Sequence, residues 1–142
     1  MNSFGLILVS HGGLSKGLLS SVEMIMGPRS NTVTISLEPG MGLSNIRELI
    51  EENIQQLSDC LHVFIVSDLF GGTPSNASVF LAESYPDRII LITGMNLPML
   101  VQFYSSSTEN PDTLAKELET VGKEGIQTIR TNILTEDSQS LN

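Results

Sequence analysis

With 142 residues the chain has room for one domain with a core of ordinary size. Sixteen Asp plus Glu against seven Lys plus Arg give a formal charge of -9 and a pI near 4.4, which argues against nucleic acid and anionic membrane surfaces, since both reward basic patches. The lack of Trp and the 5% aromatic content leave no base-stacking platform, and the single Cys60 can close no internal disulfide, which fits a reducing compartment.

The start, MNSFGLILVS, has neither the basic residues nor the cleavage site of a signal peptide, and no apolar run is long enough to span a bilayer. A cytoplasmic chain without direct membrane insertion is expected. The acidic residues are dispersed, which reads as a solvated surface, and they permit a partner with a basic docking face.

The first strand is the apolar run Leu6, Ile7, Leu8, Val9, which stops at Ser10-His11-Gly12-Gly13. Leu14, Leu18, Val22, Ile25 and Met26 then share one helix face until Gly27-Pro28. Asn31 to Leu37 alternates with β-branched residues and predicts a second strand, followed by the turn-rich Glu38-Pro39-Gly40-Met41-Gly42. Ser44 or Asn45 can cap the next helix, with Ile46, Leu49, Ile50, Ile54 and Leu57 on its apolar face.

Leu61 to Val66 is nearly all apolar, so a central strand is expected there, ending at Ser67-Asp68. Leu69-Phe70-Gly71-Gly72-Thr73 leads into a helix opened by Pro74 and running to about Ser84. Arg88 to Thr93 predicts the fourth strand, Leu97 to about Tyr104 a helix, and Asn110-Pro111 the cap and first turn of a last helix through about Val121. The segment Ile126 to Ile133 is ambiguous between helix and strand, and the polar tail from Leu134 reads as frayed. The alternation of strands and helices predicts one α/β domain over residues 1–133, with a mostly parallel sheet covered on both faces.

Two strands thus stop on polar residues, His11 and Asp68. If they are neighbours, both side chains emerge on the carboxyl rim, where open α/β sheets bind ligands. A carboxylate beside an imidazole holds one ring nitrogen as N–H and leaves the other as a directed lone pair. The glycines of Gly71-Gly72-Thr73 let successive backbone N–H groups face one concavity, the proline-started helix adds its positive end, and Thr73 adds a hydroxyl. Such a cradle suits a phosphoryl group, so the residues point to transient phosphorylation of His11, a chemistry that depends on positioning and charge stabilisation.

Taken alone, each feature has a plainer explanation. His11 could be a hydrogen-bonded structural residue, Asp68 a turn cap, and Gly71-Gly72-Thr73-Pro74 ordinary turn chemistry. Their coincidence on two strand ends favours the functional reading. His62, at the start of a strand, belongs to the opposite rim. Two histidines at opposite sheet ends supply no metal-ligand set, and no cofactor is called for. Ser10 and Ser67 lack the spacing of a nucleophilic serine beside His11.

The stretches LILVSHGGLSKGLLSSVEMIMG, SLEPGMGLSNI, VSDLFGGTPSNAS, ITGMNLPMLV and VGKEGI, from about residue 5 to 130, resemble the enzyme IIA component of the mannose-type (mannose/fructose/sorbose) sugar phosphotransferase system. The resemblance implies a phosphocarrier with a flavodoxin-like three-layer fold. A phosphocarrier protein, HPr, phosphorylates the histidine matching His11, and the group passes to a IIB component and then to a sugar entering through membrane IIC and IID subunits. Asp68 matches the carboxylate partner of the histidine, and Gly71, Gly72 and Thr73 match the phosphate-coordinating loop. The resemblance also implies Nε2 as the phosphorylated nitrogen, with Nδ1–H left for Asp68.

It further implies a homodimer in which the last strand, here Ile126 to Ile133, is exchanged and runs antiparallel in the partner's sheet. Apolar side chains beside the histidine form the docking face in that family; Phe70 and Met41 match it, with Met95 and Met99 as further candidates. The chain departs from members that carry Trp near Phe70 and at the position of Gly13, which leaves smaller docking contacts. Two other readings compete: the phosphodonor subunit of a dihydroxyacetone kinase, which lacks this GG-[ST]-P-x-N-A loop, and a non-enzymatic anion-binding regulatory module of similar fold.

Overall fold

A computed structural model describes residues 3–131. In chain order the elements are β1 (Gly5–His11), α1 (Leu14–Met26), β2 (Thr32–Leu37), α2 (Leu43–Gln56), β3 (Val63–Ser67), α3 (Thr73–Ser84), β4 (Ile89–Thr93), α4 (Leu97–Ser105) and α5 (Pro111–Glu124). The four strands lie in the order β2-β1-β3-β4 and every pairing is parallel. β1 and β3 are therefore the inner strands and direct neighbours, with Val9 opposite Ser67.

Inner parallel strands are covered on both faces, which is why β1 and β3 read as continuous apolar runs. Alternate side chains feed two cores. Ile7, Val9, Val63 and Ile65 pack with Ile46, Ile50 and Ile54 of α2 and with Ala77 and Leu81 of α3. Leu6, Leu8, Phe64 and Val66 pack with Val22 of α1, with Leu100 and Phe103 of α4, and with Leu114 and Leu118 of α5. The result is three layers, with α2 and α3 on one face of the sheet and α1, α4 and α5 on the other.

The period-2 backbone also decides where the site sits. Gly5 N–H donates to the His62 carbonyl before β3, whereas Leu6 N–H and Gly12 N–H donate to Asn31 and Leu37 on the β2 side. Odd residues of β1 thus address β3, and His11 is the last of them. Every residue of β1 is buried except His11.

Several sequence expectations need correction. The apolar face expected on α1 is narrower, because only Val22 is fully buried, Leu14 is 48% exposed and Ile25 59%. Neither Ser44 nor Asn45 is the α2 N-cap; Gly42 is, and the Asn45 Oδ1 atom three residues on accepts its N–H at 2.8 Å. No strand forms over residues 126–130, which carry no regular structure, and all observed strands run parallel. Residues 132 and 133, like the polar tail, lie outside the described residues.

The root of that last segment is tightly held. Asn96 caps α4 by accepting the Met99 N–H at 3.0 Å, and its Nδ2 donates to the Gly122 carbonyl at 3.0 Å. A Cβ on Gly125 would come within 2.7 Å of Pro98 Cγ, so only glycine lets the end of α5 approach the start of α4 this closely.

Ile50 is fully buried beneath α2. Ile50→Ala is expected to cost about 2–5 kcal/mol of stability, the range for truncating a buried isoleucine. Urea unfolding would check this, and a loss of less than about 1 kcal/mol would show that α2 does not fill this layer.

Candidate active site on the carboxyl rim

The site begins where β3 stops. Its ladder ends at Ser67, and the next position, Asp68, supplies a side chain where a backbone carbonyl would otherwise continue the pairing. His11 N–H donates to Asp68 Oδ2 at 2.8 Å, and the same oxygen lies 2.6 Å from His11 Nδ1. The second carboxylate oxygen, Oδ1, accepts Leu69 N–H at 2.9 Å. One carboxylate therefore fixes the histidine backbone, the imidazole and the following loop.

The two partners differ in exposure, with the Asp68 side chain 6% exposed and that of His11 49%. Burial by itself would raise the Asp68 carboxyl. The His11 N–H, the imidazole and the Leu69 N–H outweigh it and hold the group below its ordinary value of 3.8. An ionised Asp68 can only accept, so Nδ1 carries the proton and Nε2 keeps the lone pair.

The Nε2 edge of the ring rests on the loop after Asp68. A Cβ on Gly72 would lie 2.8 Å from His11 Cε1 and 3.4 Å from Nε2, so glycine is needed for the loop to pass this close. Gly71 adopts φ +92°, a left-handed conformation that favours glycine. Gly72 caps α3 with no side-chain bond, Pro74 occupies the first turn, and Asn76 steadies the turn through Nδ2 to the Gly71 carbonyl at 3.3 Å. The N–H groups of Gly71, Gly72 and Thr73 meet no partner among the described residues. Unclaimed donors at a helix N-terminus, beside a nucleophilic nitrogen, are what an incoming anion requires.

The structure thus brings His11, Asp68 and Gly72 into contact, with Gly71 and Thr73 flanking Gly72 in the chain. Phe70 stands 79% exposed on the same loop. Met41 is half-buried, packs on the core under α2, and its Sδ lies 3.3 Å from Glu38 N. Met95 and Met99 are core residues, 8% and 3% exposed, and are excluded from any docking face. Three exposed apolar residues were not read from the sequence as surface positions near the site: Leu14, Leu43 and Leu69, at 48%, 43% and 54% exposure. Each opens a helix or loop just beyond the end of β1, β2 or β3, and that position was the signal available. Ser67 is buried with no partner for its hydroxyl among the described residues, and His62 sits before β3 against Phe4, with ring centroids 6.1 Å apart.

A family model described as "PTS system fructose IIA component" matches residues 5–121. The chain belongs to this family of phosphotransferase-system (PTS) EIIA components. It is 31% identical over 100 residues to the PTS system fructose-specific EIIA component of Bacillus subtilis (strain 168), an alignment covering 70% of this chain and 67% of that protein. The fold is similar to the mannose/sorbose specific IIA subunit of Enterococcus faecalis, with TM-score 0.83, 30% identity, and coverage of 92% of this chain and 96% of that one. Similarity to the PTS system mannose-specific EIIAB component of Escherichia coli (strain K12) is 26% over 131 residues, or 90% of this chain; the aligned region is 40% of that longer protein. Among the described residues of this EIIA chain, no helix is long and apolar enough to cross a membrane.

Two predictions follow from this geometry. Gly72→Ala should push the imidazole off its seat, which a crystal structure or the His11 ring resonances would reveal; an unmoved ring would mean the loop yields instead. Because its folded value lies below 3.8, Asp68 contributes stability that is present above that value and is lost as pH falls through the folded one. Thermal melts should therefore show the wild-type protein more stable than Asp68→Asn near neutral pH, with the gap closing below about pH 4. A gap independent of pH would show that the carboxylate charge contributes nothing.

Proposed function

We propose that the chain is a phosphocarrier of a sugar uptake system, with His11 as the residue that carries the phosphoryl group. The observation that bears most weight is the shared Asp68 Oδ2, which binds both the backbone and Nδ1 of His11 and leaves Nε2 free against the glycine loop. In the first transfer Nε2 attacks phosphorus, the N–P bond forms, and the bond to the donor breaks. In the second, the N–P bond breaks as an acceptor nucleophile takes the group.

Asp68 keeps the proton on Nδ1 throughout and compensates the positive charge on the ring as Nε2 is phosphorylated. The phosphoryl oxygens, with roughly two negative charges at pH 7 by analogy with phosphorylated hydroxyls, are received by the N–H groups of Gly71, Gly72 and Thr73, by the Thr73 hydroxyl and by the N-terminus of α3.

HPr is the proposed donor and a IIB component the proposed acceptor, working in the cytoplasm, with membrane IIC and IID subunits downstream. Phe70, Leu69, Leu14 and Leu43 supply an apolar docking collar, with Met41 behind it. Sugar choice falls to the downstream subunits, because this site handles only the phosphoryl group. We also propose the strand-exchanged homodimer. Its support is that β4 has no strand paired beyond it among the described residues, and that Ile126 and Ile129 stand 82% and 63% exposed.

Incubation with enzyme I, HPr and phosphoenolpyruvate, read by intact mass, should show one acid-labile phosphate on His11. His11→Ala should abolish it with little loss of stability, since a rim residue fills no core space, and Asp68→Ala should slow it. Phosphate retained by the His11 variant would overturn the assignment. No phosphate on the wild-type chain, with active controls, would favour the dihydroxyacetone kinase donor or an anion-binding module. For the dimer, light scattering should give twice the monomer mass for the whole chain and a monomer for a chain ending at Gly125; equal masses would sink the exchange.

A further inference from the structure

We propose that Ser10 is a positioning residue for phosphoryl transfer, one that holds the histidine turn in its productive geometry without touching the reacting atoms; this rests on the phosphocarrier reading. Asp68 and Gly72 fix the ring of His11 from one side. What fixes the chain on the other side is a separate question, because His11 is followed by two glycines, the residues with the most backbone freedom. Gly12 sits at φ +53°, and a Cβ on Gly12 or Gly13 would meet nothing within 4 Å. Packing does not hold this turn, so its geometry rests on hydrogen bonds.

Ser10 supplies the side-chain ones among the described residues. It is fully buried, and its Oγ accepts Ser15 N–H at 2.9 Å while donating to the Gly12 carbonyl at 3.3 Å. The N-cap of α1 is Gly13, which has no side chain to offer, and Ser10 performs the cap's work from the end of the strand. The single hydroxyl thus ties the start of α1 and the middle of the turn to the residue immediately before His11. The other restraints are the backbone bonds from Gly12 N–H to Leu37 and from Gly17 N–H to Gly13, and the Ser15 hydroxyl, which donates to the Ile35 carbonyl at 3.3 Å and holds the start of α1 but not the turn itself.

Without the Ser10 hydroxyl, the Ser15 N–H is left buried and unpaired, and the Gly12-Gly13 turn loses its side-chain restraint and keeps only the backbone bonds. Misplacement of a reacting group by about 1 Å can cost on the order of a hundredfold in rate. Of the docking collar only Leu14 adjoins this turn, whereas Phe70, Leu69 and Leu43 lie on other loops, so the loss should fall chiefly on the transfer step and shift partner affinity little.

The test is phosphorylation by HPr in rapid-mixing kinetics on wild type, Ser10→Ala, Ser10→Cys and Val22→Ala. Val22 is fully buried in the same helix, far from the turn, and controls for lost stability. Ser10→Ala should lower the rate at saturating donor about tenfold or more, with half-saturation shifted by less than about twofold. Ser10→Cys, with similar volume and weaker hydrogen bonding, should fall between it and wild type. Val22→Ala should lose stability and keep its rate.

Wild-type rates in Ser10→Ala, or an equal slowing in Val22→Ala at matched stability loss, would overturn the proposal. Should Ser10→Ala fail to fold, a wild-type rate in folded Ser10→Cys overturns it equally. A wild-type chain that takes no phosphate removes the phosphocarrier reading itself, an outcome separate from phosphorylated wild type with an unimpaired Ser10 variant.

Discussion

The Asp68 carboxylate is the constraint on which the site depends. It stands where the β3 ladder ends and takes the place of the next backbone acceptor for β1, so the sheet's own hydrogen-bond geometry delivers an anion to His11. An interaction that continues a ladder inherits the rigidity of that ladder. The imidazole is not a mobile side chain at the end of a loop, since its backbone N–H and its Nδ1 answer to the same oxygen. The asymmetry of exposure follows: the orienting carboxylate is sealed in, and the group it orients faces outward.

The opposite edge of the ring is shaped by what is missing. Gly72 contributes no side chain, and this lets the start of α3 lie directly against Cε1 and Nε2. Under the proposed role of His11, charge stabilisation near Nε2 comes from backbone donors and a helix end, which are fixed in place and need no side-chain ordering. Arg29 and Arg88 are engaged elsewhere, bonding carbonyls at the ends of α1 and α2. A carrier that must release its cargo to a second partner gains from this arrangement, because the hold on the anion is distributed over several modest bonds.

Most of the architecture was legible in the sequence, for a simple reason. Inner parallel strands are apolar on both faces, and β1 and β3 announce themselves as uninterrupted runs that stop on polar residues. The pairing of His11 with Asp68 required only that the two strands be neighbours. Features set by three-dimensional context were harder to read. Leu14 and Ile25 fit a helical apolar face by period, yet both stand exposed to solvent. Met41 matches the docking face by resemblance alone, and its half-buried packing on the core under α2 was not legible from its loop. Ser10 looked inert, because its work is done through a buried bond to a residue five positions on. Residues 126–130 pair with no strand among the described residues, so the sheet of one chain does not decide their conformation.

His11 and Asp68 are 57 residues apart, and the contact between them is the far end of a β1–β3 pairing that no local interaction can replace. Non-local parallel pairing is slow to form, because loop-closure entropy is lost before contacts reward it. During synthesis β1 and the whole of α2 are made before β3 exists, and the glycine seat comes later still. A nascent chain that lacks β3 therefore holds His11 on a strand with β2 as its sole sheet neighbour, with no carboxylate to select its tautomer. Under the proposed role of His11, competence for transfer is a readout of completed topology, and a damaged or immature molecule would be silent in the relay instead of a leak in it.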